Sequence, residues 1–161
     1  MITARDIISG RFVRIGDMHS AAEALGVVFD PEEDALRDIV IVVFDSGGNY
    51  QGIVEPRRIF ESLGTELSLA GEDPAGQIAA IRRGLSVPVG EIARRDIPAA
   101  MLGDNLASLL LLAARTEADT LPVFDKQQFV GVIPIGAIFS AVCKITISAA
   151  GEELPFQGRN P

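Results

Sequence analysis

The sequence predicts an α/β protein built from two copies of one β-α-β-β-α unit, and three observations lead there. Short motifs recur in the same order: Arg5-Asp6-Ile7 returns as Arg95-Asp96-Ile97, Val40-Ile41-Val42-Val43-Phe44-Asp45 as Thr120-Leu121-Pro122-Val123-Phe124-Asp125, and Gly52-Ile53-Val54 as Gly131-Val132-Ile133. In each copy a helical apolar run precedes two strand-like segments joined by turn-forming residues, and a second helical pattern closes the unit. The chain has 161 residues, of which 48% are hydrophobic, enough to build a core without disulfide staples.

The separation of the copies shrinks from 90 (5 to 95) to 80 (40 to 120) and 79 (52 to 131). That shrinkage places extra residues in the first copy, at 9–14 and in the acidic stretch 30–37, where loops accept insertions.

Taken in order, the first copy predicts a helix beginning near Ser20 and running over 21–29, because a serine oxygen can accept from the free amides of a first turn. Residues 39–44 are β-branched and apolar, Ser46-Gly47-Gly48-Asn49 supply turn chemistry, and 50–54 return as a second strand, which together read as a hairpin. A closing helix is predicted over 57–63. Residues 65–75 are rich in glycine, proline and acidic side chains and read as a linker, with a short helix over 76–83.

In the second copy the cap falls at Asp104 or Asn105 and the helix over 106–115. Four consecutive leucines, Leu109, Leu110, Leu111 and Leu112, exceed what one face needs and predict burial on most sides. Strand, turn and strand follow at 121–124, 126–128 and 129–135, with a closing helix over 136–144. The tail, 148–161, shows little apolar periodicity and is expected to be mobile. The domain reading is thus a first repeat at 1–64, a linker with a short helix at 65–84, a second repeat at 85–147 and the tail.

A formal net charge of −8 with only two lysines, Lys126 and Lys144, offers no basic face and argues against nucleic acid as a partner. The longest apolar run, 109–114, is too short to cross a bilayer, and no basic region leads into an apolar stretch at the start. The expectation is a protein that is neither exported nor membrane-bound, with its single cysteine, Cys143, suited to a reducing cytoplasm.

Catalytic chemistry has little to work with. His19 is the only histidine, which leaves no second imidazole for a metal cluster, and Gly47-Gly48 and Gly131 do not make a phosphate loop. Glu32-Glu33-Asp34 read as a solvated loop rather than an acid–base pair or a calcium site. The sequence therefore predicts no enzyme, no metal and no certain cofactor.

The duplicated unit resembles the cystathionine-β-synthase-type (CBS) repeat. Val89-Gly90-Glu91-Ile92 with Arg94-Arg95-Asp96-Ile97 looks like that family's opening, Leu121-Pro122-Val123-Phe124-Asp125 like its central strand, and Gly131-Val132-Ile133 like the start of its last strand. The resemblance implies a tandem pair, a Bateman-type module, packed sheet against sheet into one pseudo-two-fold disc. It also implies pairing into homodimers and clefts that often hold AMP, ATP or S-adenosylmethionine. The apolar residues Ile59, Phe60 and Leu63 and Ile138, Phe139 and Val142 lie at helical spacing beyond what a sheet must cover, in helices that meet across such dimers.

By the same resemblance, backbone contacts to the base fall to Asp38, Ile39 and Val40 in the first copy and Ala118, Asp119 and Thr120 in the second. Ligand-binding members place a Ser or Thr, then an Asp three positions on, after the glycine-led strand. Here those places hold Glu55 and Arg58, and Pro134 and Ala137. A carboxylate accepts both ribose hydroxyls, whereas alanine accepts nothing and arginine only donates. Asp38, Asp119 and Glu55 would set negative charge near a phosphate, opposed by Arg57 and Arg58 alone. Arg58 reads either as a phosphate contact or as a surface or dimer salt bridge. The function implied is a stand-alone regulatory sensor that binds an adenine nucleotide and acts on an unknown partner protein. The alternative is a ligand-free dimerisation or docking scaffold.

Overall fold

The computed structural model describes residues 1–36 and 40–150 of the chain. Its elements follow in order: α1 (Ala4–Ile7), β1 (Phe12–Gly16), α2 (Ala21–Val28), β2 (Phe29–Asp30), β3 (Ala35–Leu36), β4 (Val40–Phe44), β5 (Tyr50–Val54), α3 (Pro56–Ala70), α4 (Pro74–Leu85), α5 (Val89–Ile92), β6 (Ala100–Met101), α6 (Leu106–Arg115), β7 (Thr120–Asp125), β8 (Gln128–Pro134) and α7 (Ile135–Ala150). They divide between two compact units, the first comprising Gly10–Ile97 and the second Met1–Ser9 together with the chain from Pro98 onward.

Local chemistry sets the helix starts. The Ser20 hydroxyl accepts from the Glu23 amide at 3.2 Å while the Glu23 carboxylate accepts from the Ser20 amide at 2.8 Å, a reciprocal cap for α2. The Asn105 side chain accepts from the Ser108 amide at 3.0 Å and starts α6. Asp73 caps α4 through the Gly76 amide, with Pro74 at the first helical position, where its missing N–H costs nothing.

In the first unit β4 is central, parallel to β1 and antiparallel to β5, and α2 makes the crossover that a parallel pair requires. Ile41, Val42, Val43 and Phe44 are all buried, so the apolar run is a strand covered on both faces. One core joins Ile15, Ala21, Ala24, Val28, Ile41, Val43, Val54, Ile59 and Val89. The second unit repeats the order β6-β7-β8 around the buried Leu121, Pro122 and Val123. Even the register slip recurs, between Val43 and Phe44 and between Val123 and Phe124. Beside each slip an edge-to-face aromatic pair forms, Phe44 on Tyr50 at 6.4 Å and Phe124 on Phe129 at 5.9 Å.

The segments leading into the copies are exchanged. Thr3 bridges to Asn105 and Ser9 to Val132, so the lead-in to the first copy completes the second unit. Ser20 bridges to Pro88 and Ile53 to Arg94, so the lead-in to the second copy completes the first unit. These partners identify the true equivalents: Thr3 with Pro88, Ser9 with Arg94 and Ser20 with Asn105, each 85 positions apart.

That spacing corrects the alignment of Arg5-Asp6-Ile7 with Arg95-Asp96-Ile97, since the first lies within α1 and the second follows the counterpart helix α5. A three-residue identity is a weaker marker than a shared backbone partner. With the spacing constant from Thr3 to Ser20, no insertion occupies 9–14. The acidic segment does carry extra chain, as the β2–β3 hairpin with Asp34 at a φ of 52°.

Three further expectations change. The linker at 65–75 is largely helix, because α3 continues to Ala70 and stops at Gly71, whose φ of 72° suits glycine, before α4 begins at Pro74. The two helices press together where Gly84 meets Leu63, and a Cβ on Gly84 would stand 3.0 Å from the Leu63 side chain. Next, α6 is not buried on most sides: Leu109 is fully buried, yet Leu110 and Leu111 are exposed, because consecutive helical residues turn by about 100° and face different ways. Finally, Ser148, Ala149 and Ala150 of the expected tail belong to α7, and its remainder, 151–161, lies outside the described residues.

Candidate functional site

Each closing helix starts where the last strand of its sheet ends, and this junction gathers the candidate residues. Val40 opens β4, half-buried opposite Phe12 of β1. Asp38 and Ile39 lie outside the described residues. Glu55 is the residue before α3, and its carbonyl accepts from the Arg58 amide at 3.0 Å, closing the first turn. In the second unit Ala118 is buried and Thr120 starts β7 opposite Pro134, while the carbonyl of exposed Asp119 accepts from the Ile135 amide at 2.9 Å. Ala137, half-buried, stands in the first turn of α7. Each unit thus brings its own described candidates together. A shallow apolar groove lined by Ile2, Lys144, Ile145, Ser148 and Ala149 contains none of them.

The lead-in strand is fixed beside this junction by glycine. Ile53 and Arg94 exchange backbone hydrogen bonds of 3.1 and 2.8 Å, and a Cβ on Gly52 would lie 2.5 Å from the Arg94 carbonyl oxygen. In the second unit Ser9 and Val132 exchange the matching bonds at 2.8 and 3.1 Å, and a Cβ on Gly131 would meet Ile8 at 2.8 Å and the Ser9 carbonyl at 2.9 Å. The glycine of each last strand therefore serves backbone approach, whatever the ligand chemistry.

The residue that sequence reasoning missed is Arg94. Its Nη1 donates to the Glu55 carboxylate at 3.3 and 3.4 Å, while Nε and Nη2 form a fork on Asp96 at 3.1 and 3.3 Å. The Arg94 and Glu55 side chains are only 18% and 17% exposed, whereas Asp96 is 74% exposed. The Asp96 hydrogen bonds, followed by the Glu55 pair, hold Arg94 above its ordinary value against the opposing effect of burial. The same fork, assisted by the charge of Arg58, holds the Asp96 carboxyl below the usual range. Glu55 therefore does not project free negative charge, and the statement that Arg57 and Arg58 alone oppose the acids is corrected by Arg94. No local pattern in the sequence signals it, because its partner Glu55 lies 39 residues away.

Arg58 keeps a half-exposed guanidinium, 48% accessible, in loose contact with Glu61 at 3.8 Å. At the matching places of the second unit, Pro134 and Ala137 carry no polar side-chain atom. Among the described residues no three His, Cys, Asp or Glu side chains gather as metal ligands, and no helix is long and apolar enough to cross a membrane.

No protein-family model matches the sequence, and no curated protein matches it either. Solved structures do. A CBS-domain protein from Kribbella flavida is 18% identical with a TM-score of 0.64, covering 88% of this chain and 98% of that one. A CBS-domain protein from Agrobacterium tumefaciens is 22% identical with a TM-score of 0.63, covering 87% and 92%. The CBS-pair protein CBSX2 from Arabidopsis thaliana is 18% identical with a TM-score of 0.65 over 90% and 96%, and CBSX2 in complex with AMP is 19% identical with a TM-score of 0.63 over 89% and 98%. Two β-α-β-β-α frames with matching register, reciprocal lead-in segments and these likenesses together make the fold of this chain that of a tandem CBS-domain pair.

Proposed function

We propose that the chain is a regulatory CBS-pair module without catalytic machinery, which binds an adenosine-containing ligand such as AMP or ATP at its first copy and conveys that binding to a partner protein in the cytoplasm. The observation that carries this reading is the pairing of Glu55 with Arg94, which leaves the exposed Arg57 and the half-exposed Arg58, itself in loose contact with Glu61, as the cations at the start of α3. The AMP complex of CBSX2 supports the ligand class. Arg58 would meet phosphate oxygens through its planar fork, while Val40 and its neighbours contact the base through backbone. The second copy offers no such partner, since Pro134 and Ala137 can neither donate nor accept through a side chain.

The test is calorimetric titration of the full chain with AMP, ADP, ATP, NADH and S-adenosylmethionine. Arg58→Ala is expected to weaken phosphate-bearing ligands by about 1.5–3 kcal/mol while leaving the melting curve in place. Unchanged affinity removes Arg58 from the site, and no binding by any of the five removes the sensor reading.

The scaffold reading has one observation of its own. Phe60 of α3 and Phe139 of α7 are 62% and 69% exposed, at corresponding places on the two closing helices. Large apolar side chains in that position suit a homodimer contact. Sedimentation at micromolar concentration is expected to give twice the chain mass, and a monomer would count against both the dimer and the scaffold.

A further inference from the structure

We propose that Arg94 is a second anion-binding group of the first unit, kept occupied by Asp96, whose carboxylate holds the place of an incoming phosphate group. The proposal rests on the phosphate-bearing ligand argued above and assigns the residue that gates it. Arg94 has two unlike partners. Glu55 is largely buried and takes one terminal nitrogen, which fixes the guanidinium plane. Asp96 is almost wholly in solvent and takes the remaining edge as a two-point fork at 3.1 and 3.3 Å. A phosphate presents two oxygens at the spacing of a carboxylate and fits the same edge.

The exposed partner is the one that solvent and ligands can replace, because an ion pair in high dielectric is held by little net energy. The buried partner stays and keeps Arg94 aimed. The backbone of Arg94 is locked to Ile53 by two hydrogen bonds, so the fork is presented by strand pairing rather than by a mobile loop. Arg58, whose amide bonds the Glu55 carbonyl, adds a smaller charge effect on the Asp96 carboxylate, so an anion replacing Asp96 would feel both guanidinium charges. Asp96 thus behaves as a resident competitor. It lowers the affinity of the site for weak anions and is displaced by one that brings further contacts of its own.

The experiment titrates the full chain, wild type and Asp96→Asn, with sodium pyrophosphate and with AMP at matched ionic strength. Removing the competing charge is expected to tighten pyrophosphate binding about tenfold. The gain is expected to vanish in Asp96→Asn/Arg94→Lys, which keeps a charge beside Glu55 but lacks the fork. Thermal melts establish that each variant is folded, with Asp96→Ala in reserve if the asparagine fails. Equal pyrophosphate affinity in the wild type and a folded Asp96 variant overturns the proposal, whether or not AMP binds, and so does a gain that survives the lysine. A pyrophosphate gain with AMP binding no tighter than pyrophosphate supports the anion site and sinks the adenosine reading instead.

Discussion

At the start of α3 the first unit gathers Glu55, Arg58, Arg94 and Asp96 into one charged group, whereas the matching turn of α7 in the second unit is formed by Pro134 and Ala137. Around those turns the two frames are nearly the same: the same strand order, the same register slip, the same glycine under the lead-in strand. The difference shows which parts of the duplicated unit are constrained. Backbone pairing and the absence of a Cβ hold the frame, so the two junctions keep it with different side chains. The helix start of one copy is charged, through Glu55, Arg58 and Arg94, and that of the other carries Pro134 and Ala137.

The largest expected effect comes from breaking the frame itself. Gly52→Ala drives a Cβ into the Arg94 carbonyl, which cannot retreat without losing its bond to Ile53, and a loss of about 3 kcal/mol is expected. Gly131→Ala meets first the movable end of Ile8, so about 1–2 kcal/mol is expected there. Urea melts of the two variants measure the contrast, and an equal or larger loss at Gly131 would show that the Ile8 side chain gives no relief and that the Ser9 carbonyl is as tight an obstacle as that of Arg94.

A smaller effect isolates the charged junction. Arg94→Ala leaves the largely buried Glu55 carboxylate without its partner and should cost about 1–3 kcal/mol. Glu55→Gln in the same background should recover part of that loss, because the stranded charge is gone. If Arg94→Ala costs less than about 0.5 kcal/mol, the pair is solvated and the two junctions differ in appearance only.

Acid should loosen the units unequally, and this is the smallest effect. Backbone hydrogen bonds from Ser20 and from Asn49 depress the carboxyls of Glu23 and Asp45, and the Arg94 fork depresses Asp96, all in the first unit; in the second, the Thr3 amide depresses Asp6. A depressed carboxyl stabilises the fold above its unfolded value, near 4, and that contribution is lost as pH falls through the folded value. Hydrogen exchange between pH 5 and 3 is therefore expected to quicken first around the α2 cap, the β4–β5 turn and Arg94. Quickening first in α1 and β7 would reverse the assignment.

Particular residues show how far the sequence could be read. Ser20 and Asn105 announced their helices through an oxygen placed before an apolar run, and the hairpins were visible as β-branched segments around turn residues, because caps and turns are satisfied by neighbours in sequence. The linker at 65–75 was misread since Gly71, Asp73 and Pro74, which suggested it, only end one helix and start the next, while packing of α4 on α3, with Gly84 against Leu63, supports helix on either side. The candidate residues Glu55, Arg58, Pro134 and Ala137 were named by their places in the repeat, and in the structure those places are the two strand-to-helix junctions. Arg94 was passed over because its partner Glu55 lies 39 residues away.

By itself the sequence determined the α/β class, the duplication, most helix starts and the identity of the side chains at each junction, all of which depend on composition and on interactions within a few residues. Only the tertiary structure decided that each lead-in segment completes the other copy's sheet, that Gly52 and Gly131 are required by a passing backbone, and that Arg94 neutralises Glu55. Those facts depend on which distant strands lie side by side, and no local preference encodes that choice.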